Sequence, residues 1–222
     1  MKAVIFDFDG TIIDTESVWY DVYRDLLKKR YGYSLSLKSF AQVIGTVNDV
    51  LANQLKEEMG DAFDQKWLEE KAEEEFQNRK SKLVPRDGVR ELIGFLIEQR
   101  VKLAIASSSR LEWVQIYLEK EKLTDYFPIL LTSDDVAKVK PDPELYLRTL
   151  EKLGLKPEEV LAIEDSGHGS QAAVDAGIET FVVPNPVTSF IQFPKEVTKF
   201  DSFHDLRKAL GGRMTNTSVN EY

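Results

Sequence analysis

Met1 to Asp14 read MKAVIFDFDGTIID, and this stretch decides the architecture. Ala3 to Phe6 form an unbroken apolar run, the mark of a strand covered on both faces. The run ends abruptly on two carboxylates, Asp7 and Asp9, followed by Gly10 and Thr11. Acids packed so closely at the end of a buried strand repel each other and hold their protons more tightly unless something neutralises them. The rest of the chain has to supply that partner.

Outward from this stretch, short apolar runs alternate with helical patterns. Strands are predicted at Lys2–Phe6, Lys102–Ala106, Ile129–Thr132, Val160–Glu164 and Thr180–Val183. Val89, Leu92, Ile93 and Leu96 follow i, i+3, i+4, i+7 spacing, which predicts a helix with Asp87 as N-cap. KPDPELYLRTLEKLG predicts another, with Asp142 as N-cap, Pro143 in the first turn and Gly154 beyond the end. Such alternation implies right-handed crossovers and a parallel sheet, hence an α/β protein. From Thr15 to Leu83 the alternation lapses into helix after helix, closed by Pro85 and Gly88. The expected organisation is an α/β core of residues 1–14 and 84–222 with an all-helical cap domain, 15–83, inserted between the first two strands. An ordinary helical side layer is the plainer alternative. The tail GGRMTNTSVNEY is polar and expected to fray.

Composition narrows the function. The 222 residues are 42% hydrophobic and 30% charged, ordinary values for a globular protein with a substantial core. A formal net charge of −9 argues against nucleic-acid or anionic-membrane partners. It leaves an anionic substrate open, because a metal ion and a few lysines reverse the sign locally. With no cysteine there is no disulfide, zinc thiolate or thiol nucleophile. Asp7 cuts the N-terminal apolar run too short for a signal-peptide core, so the expected location is cytoplasmic. Oligomeric state is not readable from the chain.

Ligands of parallel sheets bind beyond the carboxyl ends of the strands. Asp7 follows the first strand, Ser107 follows LAIA, and Glu164 and Asp165 follow VLAI. Three strand ends thus bring polar groups to one rim. Hard oxygen donors without His or Cys suit Mg²⁺. Four motifs, DFDGT, the serine of AIASSS, the lysine of VKPDPELY and the acidic pair of AIEDSGHGSQAAVDAG, stand in order on the right kinds of element. Together they resemble the haloacid dehalogenase superfamily of phosphohydrolases, in the subgroup of β-phosphoglucomutase and phosphoglycolate phosphatase, over about residues 1–210.

The resemblance implies a doubly wound, Rossmann-like core with a helical cap. It also implies roles. Asp7 is the nucleophile that takes up the phosphoryl group. Asp9 is the acid for the leaving alcohol and then the base for water, with its backbone carbonyl on Mg²⁺. Asp165 ligates the metal together with Asp7, and Glu164 does so directly or through water. Ser107 and Lys140 grip phosphoryl oxygens, aided by Gly10, Thr11 and Ser108. The implied activity is Mg²⁺-dependent hydrolysis of a small phosphomonoester, such as a sugar phosphate, through an aspartyl phosphate. A cap that moves and closes a narrow cleft is expected to exclude larger esters.

Departures from the family pattern set the alternatives. Dehalogenases lack the second aspartate present here as Asp9. Phosphoglucomutases carry a histidine where this chain has Trp19 and a cap arginine where it has Asn48, so hydrolysis is favoured over a phosphosugar mutase reaction. Gly167–His168 replace a Pro–Asn pair, and Val139 replaces a glycine before the lysine. The substrate-facing candidates are Gly45, Thr46, Asn48 and Trp19. Trp67 and Trp113 read as packing residues, His168 as a loop residue and His204 as a surface one. A phospho-aspartate receiver and a non-catalytic binding protein remain as readings of another class.

Overall fold

The computed structural model describes residues 1–41 and 49–219. Gly45, Thr46 and Asn48 lie outside the described residues. The elements run in the order β1 (Ala3–Phe6), α1 (Thr15–Tyr31), α2 (Leu37–Ala41), α3 (Asp49–Met59), α4 (Gln65–Arg79), α5 (Val89–Glu98), β2 (Lys102–Ala106), α6 (Leu111–Lys120), β3 (Ile129–Leu131), α7 (Glu144–Leu153), β4 (Val160–Glu164), α8 (Gly167–Asp175), β5 (Glu179–Val182), β6 (Thr198–Lys199) and α9 (Phe203–Val219).

The six strands form one parallel sheet in the order β3-β2-β1-β4-β5-β6. β1 is central, and Ala3 to Phe6 are all buried, as an apolar run covered on both faces requires. Ala3 and Ile5 join a core with Tyr146 and Leu150 of α7 and Ala172 and Ala173 of α8. Phe6, pointing to the opposite face, meets the ring edge of Phe127 at 5.8 Å. In register, Phe6 stands level with Ile105 of β2 and Ile163 of β4. Asp7, Ala106 and Glu164 therefore emerge at one height. β1 lies between β2 and β4, where the winding direction reverses, the usual place for a ligand crevice.

The chain divides into two compact units. The sheet unit comprises Met1–Ile13, Pro85–Pro184 and Phe193–Tyr222; the helical unit comprises Asp14–Val84 and Asn185–Gln192. The sequence expectation kept 84–222 together, so the segment 185–192 is a difference. Its cause is local: Asn185 Oδ1 accepts the N–H groups of Val187 and Thr188, while its Nδ2 donates to Glu16 Oε2 of α1 at 3.4 Å. Within the helical unit Asp14 caps α1 through the N–H of Ser17, and Gly32 ends it in a left-handed conformation. The charged α4 still buries Leu68, Ala72 and Phe76, one residue per turn, and packs on α1.

Two cap assignments need correcting. α5 is preceded by Gly88 at φ 82°, not capped by Asp87, whose carboxylate meets His204 instead. α7 starts one residue late, with Pro143 at the N-cap position, although Asp142 Oδ1 still accepts the N–H of Glu144 at 3.1 Å. Gly154 ends α7 as expected. β6 was not foreseen, because two residues carry no readable alternation.

Arg86 ties the loop after β1 to the end of β5. Its N–H donates to Ile12 O at 2.8 Å, and its guanidinium donates to the carbonyls of Gly10 (2.6 Å), Val183 (2.8 Å) and Pro184 (2.7 Å). The same group lies 4.9 Å from the Phe203 ring centre. Bonds from a charged donor are worth more than neutral ones, and losing them strands several carbonyls at once. Arg86→Met is expected to cost about 2 kcal/mol or more. The check is a lower urea midpoint at an unchanged denaturant slope.

Candidate active site

The site is built at the end of β1. The N–H of Asp7 donates to Ile163 O at 2.9 Å, which extends the strand pairing one residue further. The chain then turns tightly: Gly10 adopts φ 82°, and its N–H closes on Ile13 O at 2.6 Å. That conformation strains any residue with a Cβ, which explains the glycine after Asp9. The turn's own bonding also redirects two expected phosphate donors. The Gly10 N–H is engaged inside the turn, and the Thr11 hydroxyl donates to Asp165 Oδ1 at 3.0 Å. Thr11 therefore orients Asp165.

Asp7 is the centre of a buried charge cluster. Lys140 Nζ donates to Asp7 Oδ1 at 2.5 Å and to Glu164 Oε1 at 2.7 Å, with its side chain almost wholly buried. Burial, followed by the neighbouring Glu164, pushes the Asp7 carboxyl up to about 7, although Lys140 pulls the other way. Lys140 itself is held well above the usual lysine value, because Asp7 and Glu164 outweigh its burial. This one ammonium faces three carboxylates and offsets only part of the acid cluster.

Glu164 is held from several sides. Tyr146 OH, fully buried, donates to Oε1 at 2.7 Å, and its phenol is pushed well above the usual range by burial and by Glu164. Oε2 accepts from the N–H groups of Asp165 and Ser166 and from Ser166 Oγ. Ser166 also caps α8 through the N–H of Gly169. A Cβ on Gly169 would lie 2.0 Å from Glu164 Oε1, so that glycine makes room for the carboxylate.

One carboxylate oxygen from each of Asp7, Glu164 and Asp165 lies within 4.8 Å of the others. All three residues are buried, and the donors are hard oxygens without His or Cys. This set fits Mg²⁺: three buried carboxylates face one ammonium, so the cluster holds more negative charge than Lys140 offsets.

Asp9 adds its charge to the field at Asp7 but makes its side-chain hydrogen bonds elsewhere. Its Oδ2 accepts from Ser109 Oγ at 2.6 Å and its Oδ1 from Trp113 Nε1 at 2.8 Å. Ser107 is buried at the end of β2, and its Oγ accepts the N–H of Ser109 at 3.0 Å, leaving the hydroxyl hydrogen able to donate. Ser108 is exposed, and so is His168. Trp19 stacks on Phe76 of α4 with centroids 4.0 Å apart and 5° between planes, a packing role within the helical unit.

Ser109, Trp113 and Tyr146 were not singled out for the site from sequence. In the sequence Trp113 reads as packing, and Ser109 is one of three adjacent serines. Tyr146 looked like a core residue of α7, and it is one. Asp9 meets Ser109 and Trp113 across sequence separations of 100 and 104, which no local pattern reveals.

The profile of a family described as haloacid dehalogenase-like hydrolase matches residues 4–183. The chain belongs to that family. A relative from Bacillus subtilis (strain 168), named "Putative phosphatase YhcW", is 37% identical over 211 residues, covering 95% of this chain and 96% of the relative. A Thermotoga maritima protein named "Phosphorylated carbohydrates phosphatase" is 35% identical over 184 residues, covering 81% and 83%. A solved structure titled as a "putative beta-phosphoglucomutase" from Thermotoga maritima has a TM-score of 0.74 at 30% identity, covering 96% of this chain and 99% of that one. Within the haloacid dehalogenase-like family, the chain is a phosphoric monoester hydrolase.

Two outcomes follow from the cluster. In the unfolded chain Asp7 titrates near 3.8, in the fold near 7, so the folded state binds the proton more tightly. The Asp7 contribution to stability is therefore intact below about pH 4 and is lost as pH rises towards 7. In chelator, Asp7→Asn is expected to melt above the native protein at pH 8, with the gap closing towards pH 4. Gly169→Ala is expected to displace Glu164 and weaken Mg²⁺ binding about 10- to 100-fold by calorimetry.

Proposed function

We propose that this hydrolase removes phosphate from a small phosphorylated metabolite, a sugar phosphate or similar ester, through an aspartyl phosphate and with Mg²⁺. The carrying observation is the buried Asp7, with Lys140 Nζ at 2.5 Å and oxygens of Glu164 and Asp165 close enough to share a metal ion with it. Relatives named for phosphatase action on phosphorylated carbohydrates support the substrate class.

In this reading a carboxylate oxygen of Asp7 attacks phosphorus as the bond to the leaving oxygen breaks. Asp9 gives that oxygen a proton. Water then attacks the aspartyl phosphate, Asp9 takes a proton from it, and Asp7 leaves as a carboxylate. A covalent intermediate splits one hard displacement into two easier ones. Lys140 and the O–H of Ser107 neutralise and orient phosphoryl oxygens, the main requirement of phosphoryl transfer. Asp7, Asp165 and Glu164, with the Asp9 carbonyl, would hold Mg²⁺, which when bound supplies the charge neutralisation that lets an anionic side chain approach an anionic ester. A phosphosugar mutase reaction is the second reading, favoured by the likeness to a protein with that name. Trp19 stands where such an enzyme needs a histidine and is packed on Phe76. A phospho-aspartate receiver would be labelled once without turnover.

The test is phosphate release across small esters, with Mg²⁺ and with chelator. Steady turnover is expected only with Mg²⁺, and Asp7→Asn is expected to lower it at least about 10³-fold. Equal rates in the native and Asp7→Asn proteins would contradict the nucleophile assignment. Asp9→Asn is expected to lose about 10²- to 10⁴-fold on esters of poor leaving groups.

A further inference from the structure

Asp9 is gripped at both oxygens by one short segment, residues 109–113, and each grip has a different character. Trp113 Nε1 reaches Oδ1 at 2.8 Å and Ser109 Oγ reaches Oδ2 at 2.6 Å. An indole N–H only donates, so Oδ1 is always an acceptor. A hydroxyl donates or accepts by rotating, so Ser109 can stay bonded to Oδ2 whether or not that oxygen carries a proton.

Both grips are themselves anchored. The Trp113 ring meets Tyr117 edge-on at 4.8 Å, and Val114, Tyr117 and Leu118 bury that face of α6. The first turn of α6 is tied down by Asp134 Oδ2, which accepts the N–H of Leu111 at 2.9 Å. Ser109 is held by its N–H on Ser107 Oγ and by its carbonyl, which accepts from the N–H of Ser133 at 3.0 Å.

We propose that Trp113 and Ser109 are positioning residues that set the rotamer of Asp9 and reserve its Oδ2 edge for the proton exchanged with the leaving group. This rests on the reading of Asp9 as the acid and base. As the P–O bond to the leaving group breaks, the proton on Oδ2 passes to the departing oxygen. In the hydrolytic step a proton of the attacking water returns to Oδ2. Ser109 turns its hydroxyl to follow each change, while Trp113 prevents the carboxylate from rotating.

The prediction concerns leaving groups. p-Nitrophenolate departs without a proton, whereas phenolate depends more on one. For native protein, Trp113→Phe, Ser109→Ala and Asp9→Asn, kcat/KM with Mg²⁺ is compared on p-nitrophenyl phosphate and phenyl phosphate. Trp113→Phe is expected to lower the phenyl phosphate value about 10-fold more than the p-nitrophenyl phosphate value, with Asp9→Asn graded more steeply in the same direction. Equal losses on both esters in Trp113→Phe, with Asp9→Asn still graded, overturn the positioning role and leave the Asp9 reading standing. An ungraded Asp9→Asn overturns both. Should Trp113→Phe fail to fold, the indole N–H resonance of Trp113 in Asp9→Ala gives the answer. An upfield move supports the bond, and an unmoved resonance overturns the proposal.

Discussion

The structure turns on a carboxylate placed where its own charge is unfavourable. Burial and Glu164 push Asp7 towards protonation, and Lys140 only partly opposes them. A structural acid would be satisfied or replaced. Here the imbalance is retained and surrounded by groups that hold its neighbours in place. Tyr146 and Ser166 fix Glu164, Thr11 fixes Asp165, and Gly169 provides the space. An under-neutralised acid cluster of this kind favours a cation, and only with that charge in place would the site tolerate an anionic ester; this is the physical basis for the proposed chemistry.

The fold serves this cluster through register. Asp7, Ala106 and Glu164 stand level, so Asp7, Glu164 and the next residue after β2, Ser107, arise from three adjacent strands without any long loop to position them. Sites on strand ends are held more closely than sites on loops. The turn after Asp7 is the exception, and Arg86 compensates by anchoring the Gly10 carbonyl. The two acids thereby keep different hydrogen-bond partners. Asp7 sits among Lys140, Glu164 and Asp165, while Asp9 sits against Ser109 and Trp113.

The sheet was legible because each strand is an apolar run bounded by polar residues, and the length of those runs was almost right. Lys102–Ala106 and Val160–Glu164 match residue for residue, whereas β6 has too few residues to show a period. Cap positions were less legible. Asp87 and Asp142 are good capping types, but Gly88 and Pro143 occupy the positions, and a one-residue shift is below what propensity resolves. The acids and Lys140 stood out because charged residues next to buried strands need an explanation. Their supports did not: Tyr146 is indistinguishable from core in an amphipathic helix, and Trp113 on α6 reads as packing until Asp9 is seen beside it.

Calorimetry of Mg²⁺ binding near pH 7, repeated in buffers of different ionisation enthalpy, tests the central claim most directly. If Asp7 is raised to about 7 and ionises when the cation binds, about half a proton should be released per ion bound, and Asp7→Asn should abolish that release. Binding without proton release in the native protein, or the same release in Asp7→Asn, would contradict the account.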